Sequence, residues 1–143
     1  MAESAREIDL DPRTYVGLSF PLRADNNNDF ALTRNSLQQA QHNLKNLFLT
    51  YPGERVAQPE FGSRIRALCF EPDTQDLEQK IEEEVRRSVS QWLSYINIIK
   101  VSTKADQQNQ NKISVSVEFS TSLNPSQRDS VTVSADTSTS TDY

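Results

Sequence analysis

The hydrophobic period changes near residue 96, and that change fixes which elements must share one core. Upstream, "DTQDLEQKIEEEVRRSVSQWLSYI" places Leu77, Ile81, Val85, Val89, Trp92, Leu93 and Ile96 on one helical stripe, with Asp73 or Thr74 as cap. Downstream, "ISVSVEFS" sets Ile113, Val115, Val117 and Phe119 against Ser114, Ser116 and Glu118, the alternation of a half-buried strand. "INIIKVST" carries Ile96, Ile98, Ile99 and Val101, apolar on both faces of an extended chain. The polar "KADQQNQN" between these two runs reads as a hairpin loop. The expected class is therefore α+β, a small antiparallel sheet packed against two main α-helices.

The other helix precedes this unit. In "LTRNSLQQAQHNLKNLFLT" the apolar positions Leu37, Ala40, Leu44, Leu47 and Phe48 repeat at three and four, and Ser36 with Gln39 fits a capping box. Gln38, Gln39, Gln41, Asn43 and Lys45 then face water or a partner, and His42 is expected on the solvated surface. Further upstream, "YVGLSFPL" alternates Val16, Leu18, Phe20 and Leu22, an extended segment laying one face on the core, with Pro21 restricting it to an edge. "RADNNNDF" reads as a loop because Asn and Asp bond their own backbone. On the long helix, Glu82 with Arg86 and Glu83 with Arg87 are i to i+4 ion pairs that account for the charge run.

Between the helices lies "YPGERVAQPEFGSRI", which holds two of the three glycines and two of the six prolines. Pro52 and Gly53 suit the centre of a type II turn, "ERVA" a short strand, Gly62 a second tight turn, and "SRIRALCF" a short helix with Ile65, Leu68 and Cys69 inward. A shaped segment of this kind is either an active-site loop or a docking surface.

The 143 residues suffice for one domain with tails. The expected division is an extended N-terminal arm over 1–14, a domain over 15–122, and a C-terminal extension over 123–143. That extension carries a candidate edge strand at 130–135, after the "NPSQRD" turn, and then a mobile polar tail. With 35% hydrophobic residues, part of the chain is expected to order on partners. The net charge of −5 gives no attraction to nucleic acid or anionic lipid. No run approaches the roughly 18 apolar residues of a membrane span, and the polar N-terminus is no signal peptide. One cysteine, Cys69, and one histidine, His42, leave no disulfide and no His/Cys metal set. No cofactor is expected.

Catalysis has little to stand on. Glu54, Glu60 and Glu71 are the carboxylates near the shaped segment, and acid/base hydrolysis needs two such groups in contrasting environments. Solvated or ion-paired carboxylates are the simpler account. "GSR" lacks a G-x-S-x-G elbow, and the three glycines are too scattered to cradle a phosphate. No catalytic residue is assigned, and a binding or structural part remains.

"FPL", "LKNLFLTYPGERVAQPEFGSRI", "LCFEP" and a long helix ending in "WLSYI" before a hairpin resemble the baseplate wedge and sheath-initiator family of contractile phage tails, which also includes a type VI secretion baseplate component. The likeness covers about residues 15 to 120. It implies a non-enzymatic scaffold of the virion's tail baseplate, assembled in the host cytoplasm. The partners it implies are other wedge proteins and the tail sheath protein, whose first ring the chain would template by β-strand addition. Wedge docking is expected through Glu54, Arg55, Pro59, Glu60, Phe61, Gly62 and Tyr95, and strand addition along Ile113, Val115, Val117 and Phe119. Relatives carry Glu-Pro-Arg where this chain reads Leu93, Ser94, Tyr95, Ile96, Asn97, so Tyr95 or Arg55 would substitute. Some members have been described as lysozymes, which keeps an enzyme as the rival reading. An adaptor of regulated proteolysis, built on a related fold, is a third.

Overall fold

The computed structural model describes residues 4–71, 75–105 and 113–134. In chain order the elements are helix α1 (Ala5–Leu10), strands β1 (Gly17–Leu18) and β2 (Leu32–Thr33), helices α2 (Ser36–Leu49), α3 (Ile65–Leu68) and α4 (Gln75–Trp92), and strands β3 (Ile96–Ala105), β4 (Ile113–Thr121) and β5 (Asp129–Ser134). Strands β3, β4 and β5 form an antiparallel sheet in that order, and β1 pairs with β2 in a separate hairpin. The α+β expectation holds. The caps expected at Asp73 or Thr74, most of the hairpin loop, Ala135 and the tail lie outside the described residues.

The core is one cluster. Leu77, Ile81, Val85 and Val89 of α4 and Ala40, Leu44, Leu47 and Phe48 of α2 meet Ile113, Val115, Val117 and Phe119 of β4 and Val131 and Val133 of β5. Removing each such large side chain from water contributes about 1.5–3 kcal/mol, so this seam dominates the stability of the fold. The strand expected as the open template, β4, is central: β3 and β5 take both its edges, and its four apolar side chains are all in the core. That corrects the assignment of Ile113, Val115, Val117 and Phe119 to partner binding.

The double-sided apolar pattern of β3 also has a local cause. The register slips between Ile98 and Lys100, so Ile99 is an extra residue in the ladder. The bulge resets the alternation, and Ile98 opposes Phe119 while Val101 and Thr103 oppose Val117 and Val115. One face then serves the core on both sides of the bulge.

The N-terminal segment departs from an extended arm. Ser4 and Glu7 make a reciprocal capping box that starts α1. Asp9 then accepts from the Ser36 N–H at 2.5 Å and the Ser36 hydroxyl at 2.9 Å, placing a carboxylate at the N-terminus of α2. The cap of α2 itself is Asn35, whose side chain accepts from the Gln38 N–H, in place of the expected Ser36. Val16, Leu18 and Leu22 are exposed, because the inner face of the β1–β2 hairpin is made by Gly17 and Thr33 against Gln39. Part of the polar face of α2, expected to meet water or a partner, is bonded within the chain. His42 Nδ1 lies 3.1 Å from the Phe20 nitrogen, Gln41 donates to the Ser130 carbonyl and Asn43 to the Tyr95 hydroxyl.

On α4, Arg86 pairs with Glu82 as expected, but Arg87 pairs with Glu84 at 2.7 Å rather than with Glu83. Glu84 also accepts from the Arg64 N–H at 2.9 Å, so one carboxylate ties the segment before α3 to α4. Burial alone would raise the Glu84 carboxyl, but the Arg87 and Arg64 hydrogen bonds and charges together hold it below its ordinary 4.5. Cys69 is fully buried, and desolvation pushes its thiol up to about 11.

A carboxyl with a depressed folded-state pKa adds stability above its unfolded pKa and loses it as pH falls through the folded one. Glu84→Gln should therefore destabilise the chain by about 1–2 kcal/mol at pH 7. In urea unfolding, the gap from wild type should close as pH drops from about 4.5 towards 3. A gap unchanged down to that acid limit would contradict the role of the ionised carboxylate.

Candidate partner-binding site

The segment from Tyr51 to Arg64 is held by its own backbone. The Glu54 N–H donates to the Tyr51 carbonyl at 3.1 Å, closing the turn in which Gly53 takes a φ of 100°. The Gly53 N–H reaches the Pro59 carbonyl at 2.6 Å and drags the far side of the loop back. The "ERVA" residues form no strand, because these bonds fold them into bends. Gly62 has a φ of 131°, and a Cβ there would run into the Thr50 carbonyl. The chain can therefore pass close to the end of α2, where the Ser63 N–H donates to that carbonyl at 2.9 Å.

Phe61 anchors the loop. It packs edge-on to Trp92 of α4, with ring centroids 5.2 Å apart at 67°, and the Arg55 guanidinium lies over its ring, 3.9 Å from the centroid. The expected docking set thus divides. Phe61 and Gly62 are buried and serve the fold, while Arg55 is half-buried on Phe61. Glu54, Pro59 and Glu60 are exposed, although one Glu54 oxygen accepts from the Tyr51 N–H at 3.0 Å. Tyr95 is 37% exposed, and its hydroxyl accepts from Asn43 at 2.7 Å, joining the α4–β3 junction to α2.

Two residues escaped the sequence reading. Val56, read as part of a short strand, is wholly exposed at the loop's outer side. Glu84 sits in a run of glutamates that gives no sign of which one meets Arg64 and Arg87.

The carboxylates near the loop are in water. Glu54, Glu60 and Glu71 are all exposed, and Glu71 lies 3.7 Å from Lys80. Among the described residues no group of three His, Cys, Asp or Glu is placed to hold a metal, and no helix is long and apolar enough to cross a membrane.

At the sheet, β3 has β4 on one side and, among the described residues, no strand on the other. The other edge, β5, has its Ser130 carbonyl already engaged by Gln41. Among the described residues neither outer edge carries a further strand, and β3 is the longer of the two, at 10 residues against 6.

Three solved structures share the fold. The chain is 20% identical to a candidate tail lysozyme of Geobacter sulfurreducens, with a TM-score of 0.61, over 73% of this chain and 94% of that one. It is 21% identical to a chain of the anti-feeding prophage baseplate, with a TM-score of 0.58, over 83% and 84% of the two chains. It is 18% identical to a chain of the postcontracted pyocin R2 baseplate, with a TM-score of 0.51, over 79% and 95%. No curated protein matches. The family described as baseplate wedge protein gp25 matches residues 34–126, which take in α2, the shaped loop, α3, α4 and the β3–β4 hairpin. The chain belongs to that family of baseplate wedge proteins.

Proposed function

We propose that this chain is a non-enzymatic scaffold that docks on neighbouring wedge proteins through the outer surface of the 51–64 loop and seeds the first ring of tail sheath by strand addition at β3. The observation that carries the reading is the family match over the two main helices, the loop and the hairpin together. The loop suits docking because its geometry is fixed before any partner arrives, which lowers the ordering cost of binding. Its outward groups are Glu54, Val56, Pro59 and Glu60. Strand addition at β3 gives the open backbone groups of that edge their partners. The buried residues of β4 support it indirectly, by holding β3 in register.

The name of the Geobacter sulfurreducens relative favours a second reading, a wall hydrolase. That reading needs an acid raised by an apolar pocket, whereas Glu54, Glu60 and Glu71 are exposed. Wall digestion by the purified chain, lost in Glu54→Gln or Glu60→Gln, would establish it.

Two outcomes test the scaffold. Glu60→Arg should change unfolding free energy by less than about 0.5 kcal/mol, since exposed charges matter little to stability. It should nevertheless reduce incorporation into wedges; unchanged incorporation would contradict docking through the loop. Single prolines at Val101, Ser102 and Thr103 should fall into two groups, because successive N–H groups of a strand point to opposite sides. Those that remove an N–H facing β4 should destabilise the fold. Those that remove an outward N–H should leave it intact and stop sheath growth, and full-length sheath on such particles would contradict strand addition.

A further inference from the structure

The loop between α2 and α3 ends outward in one apolar side chain. The bond from the Gly53 N–H to the Pro59 carbonyl at 2.6 Å closes the chain over residues 53–59, and Val56 stands at the midpoint. A second bond, from the Phe61 N–H to the Gln58 carbonyl at 3.1 Å, fixes the return side. Val56 is 101% exposed, whereas the next most exposed large apolar residues, Phe30 and Phe70, reach 63%. Ala57 and Pro59 beside it are exposed too. The neck of the loop is anionic. Glu54 and Glu60 directly follow the two closing residues, both are exposed, and among the described residues neither forms an ion pair. Arg55, the one cation in this stretch, is engaged over the Phe61 ring.

An apolar apex above an uncompensated acidic neck is one half of a complementary pair. We infer that Val56 is a knob that seats in an apolar socket rimmed by Lys or Arg on a neighbouring wedge protein. The inference rests on the docking reading of the loop and specifies the partner's chemistry. The class of partner follows from the family, whose members are baseplate wedge proteins. Charge complementarity selects the rim, since Glu54 and Glu60 would gain cations there and would be repelled by an acidic surface, nucleic acid or anionic lipid. The apex suits the socket because burying Val56 removes apolar area from water, while its β-branched side chain has little rotamer freedom to lose. The backbone bonds of the loop hold the knob outward in the free protein.

The test compares full-length variants for incorporation into baseplates assembled without this chain, with urea unfolding as the control for folding. Val56→Ala removes two methyl groups and should weaken incorporation about tenfold. Val56→Lys, which sets a charge against the cationic rim, should weaken it further, and Val56→Ile should retain it. None should shift the unfolding midpoint, since the side chain is wholly exposed. Incorporation of the wild type should fall as salt rises, and Glu60→Gln should flatten that dependence; incorporation independent of salt would contradict the rim. If Glu60→Arg blocks incorporation while Val56→Ala and Val56→Lys enter baseplates as the wild type does, docking through the loop stands and the knob assignment is overturned. If Glu60→Arg also enters normally, both readings fall. A benzoylphenylalanine photocrosslinker at Ala57 gives an independent readout. An adduct with a wedge protein at an apolar segment flanked by Lys or Arg supports the proposal; an adduct at an acidic or uniformly polar segment, or no adduct, overturns it.

Discussion

Everything in this fold hangs on the seam where the apolar stripes of α4 and α2 meet the inward face of the β3–β4–β5 sheet. Leu77, Ile81, Val85 and Val89 on one side, and Ile113, Val115, Val117 and Phe119 on the other, are removed from water together. Hydrophobic burial is non-directional, so the seam alone would tolerate many arrangements. Direction comes from the sheet, because strand pairing allows the apolar side chains of β4 only one face. With α4 laid over β3 and α2 over β5, both strands that flank β4 are held in place.

The shaped loop is the second constraint. It spans the end of α2 to the start of α3 by backbone bonds, Phe61 pins it to Trp92, and Glu84 pins Arg64 to α4. The residues that give it its distinctive sequence divide between frame and outer surface. Gly62 is required by the close approach to Thr50, and Phe61 by the packing against α4. An outer surface built on such a frame keeps its form in the free protein, which is what an assembly component needs if it is to be added in a fixed orientation.

Periodicity made the main elements legible. The stripe on α4 and the alternation of β4 read directly because each follows one geometric period over several turns or residues. Where two periods or two partners compete, the sequence misleads. The alternation from Val16 to Leu22 was assigned inward, yet Gly17 and Thr33 make the inner face and the apolar residues point out. β3 looked apolar on both faces because a bulge shifts its phase midway, and a single inserted residue leaves no mark in a hydropathy pattern. Long-range polar ties such as Asp9 to Ser36 and Glu84 to Arg64 join residues far apart in the chain, so local spacing cannot reveal them. Within the segment expected to dock, exposure divides the residues in a way residue type does not announce. Glu54, Val56 and Glu60 face out, while Phe61 and Gly62 hold the frame.

The central claim is that two surfaces of one rigid unit join wedge to sheath. A density map of an intact particle containing this chain tests it most directly. The account requires the outer side of the 51–64 loop to lie against a neighbouring wedge protein, and an extended sheath segment to run antiparallel or parallel along β3, within hydrogen-bonding distance of its backbone. A map that shows the chain in the baseplate with β3 bordered by solvent, or by a helix rather than a strand, would contradict it.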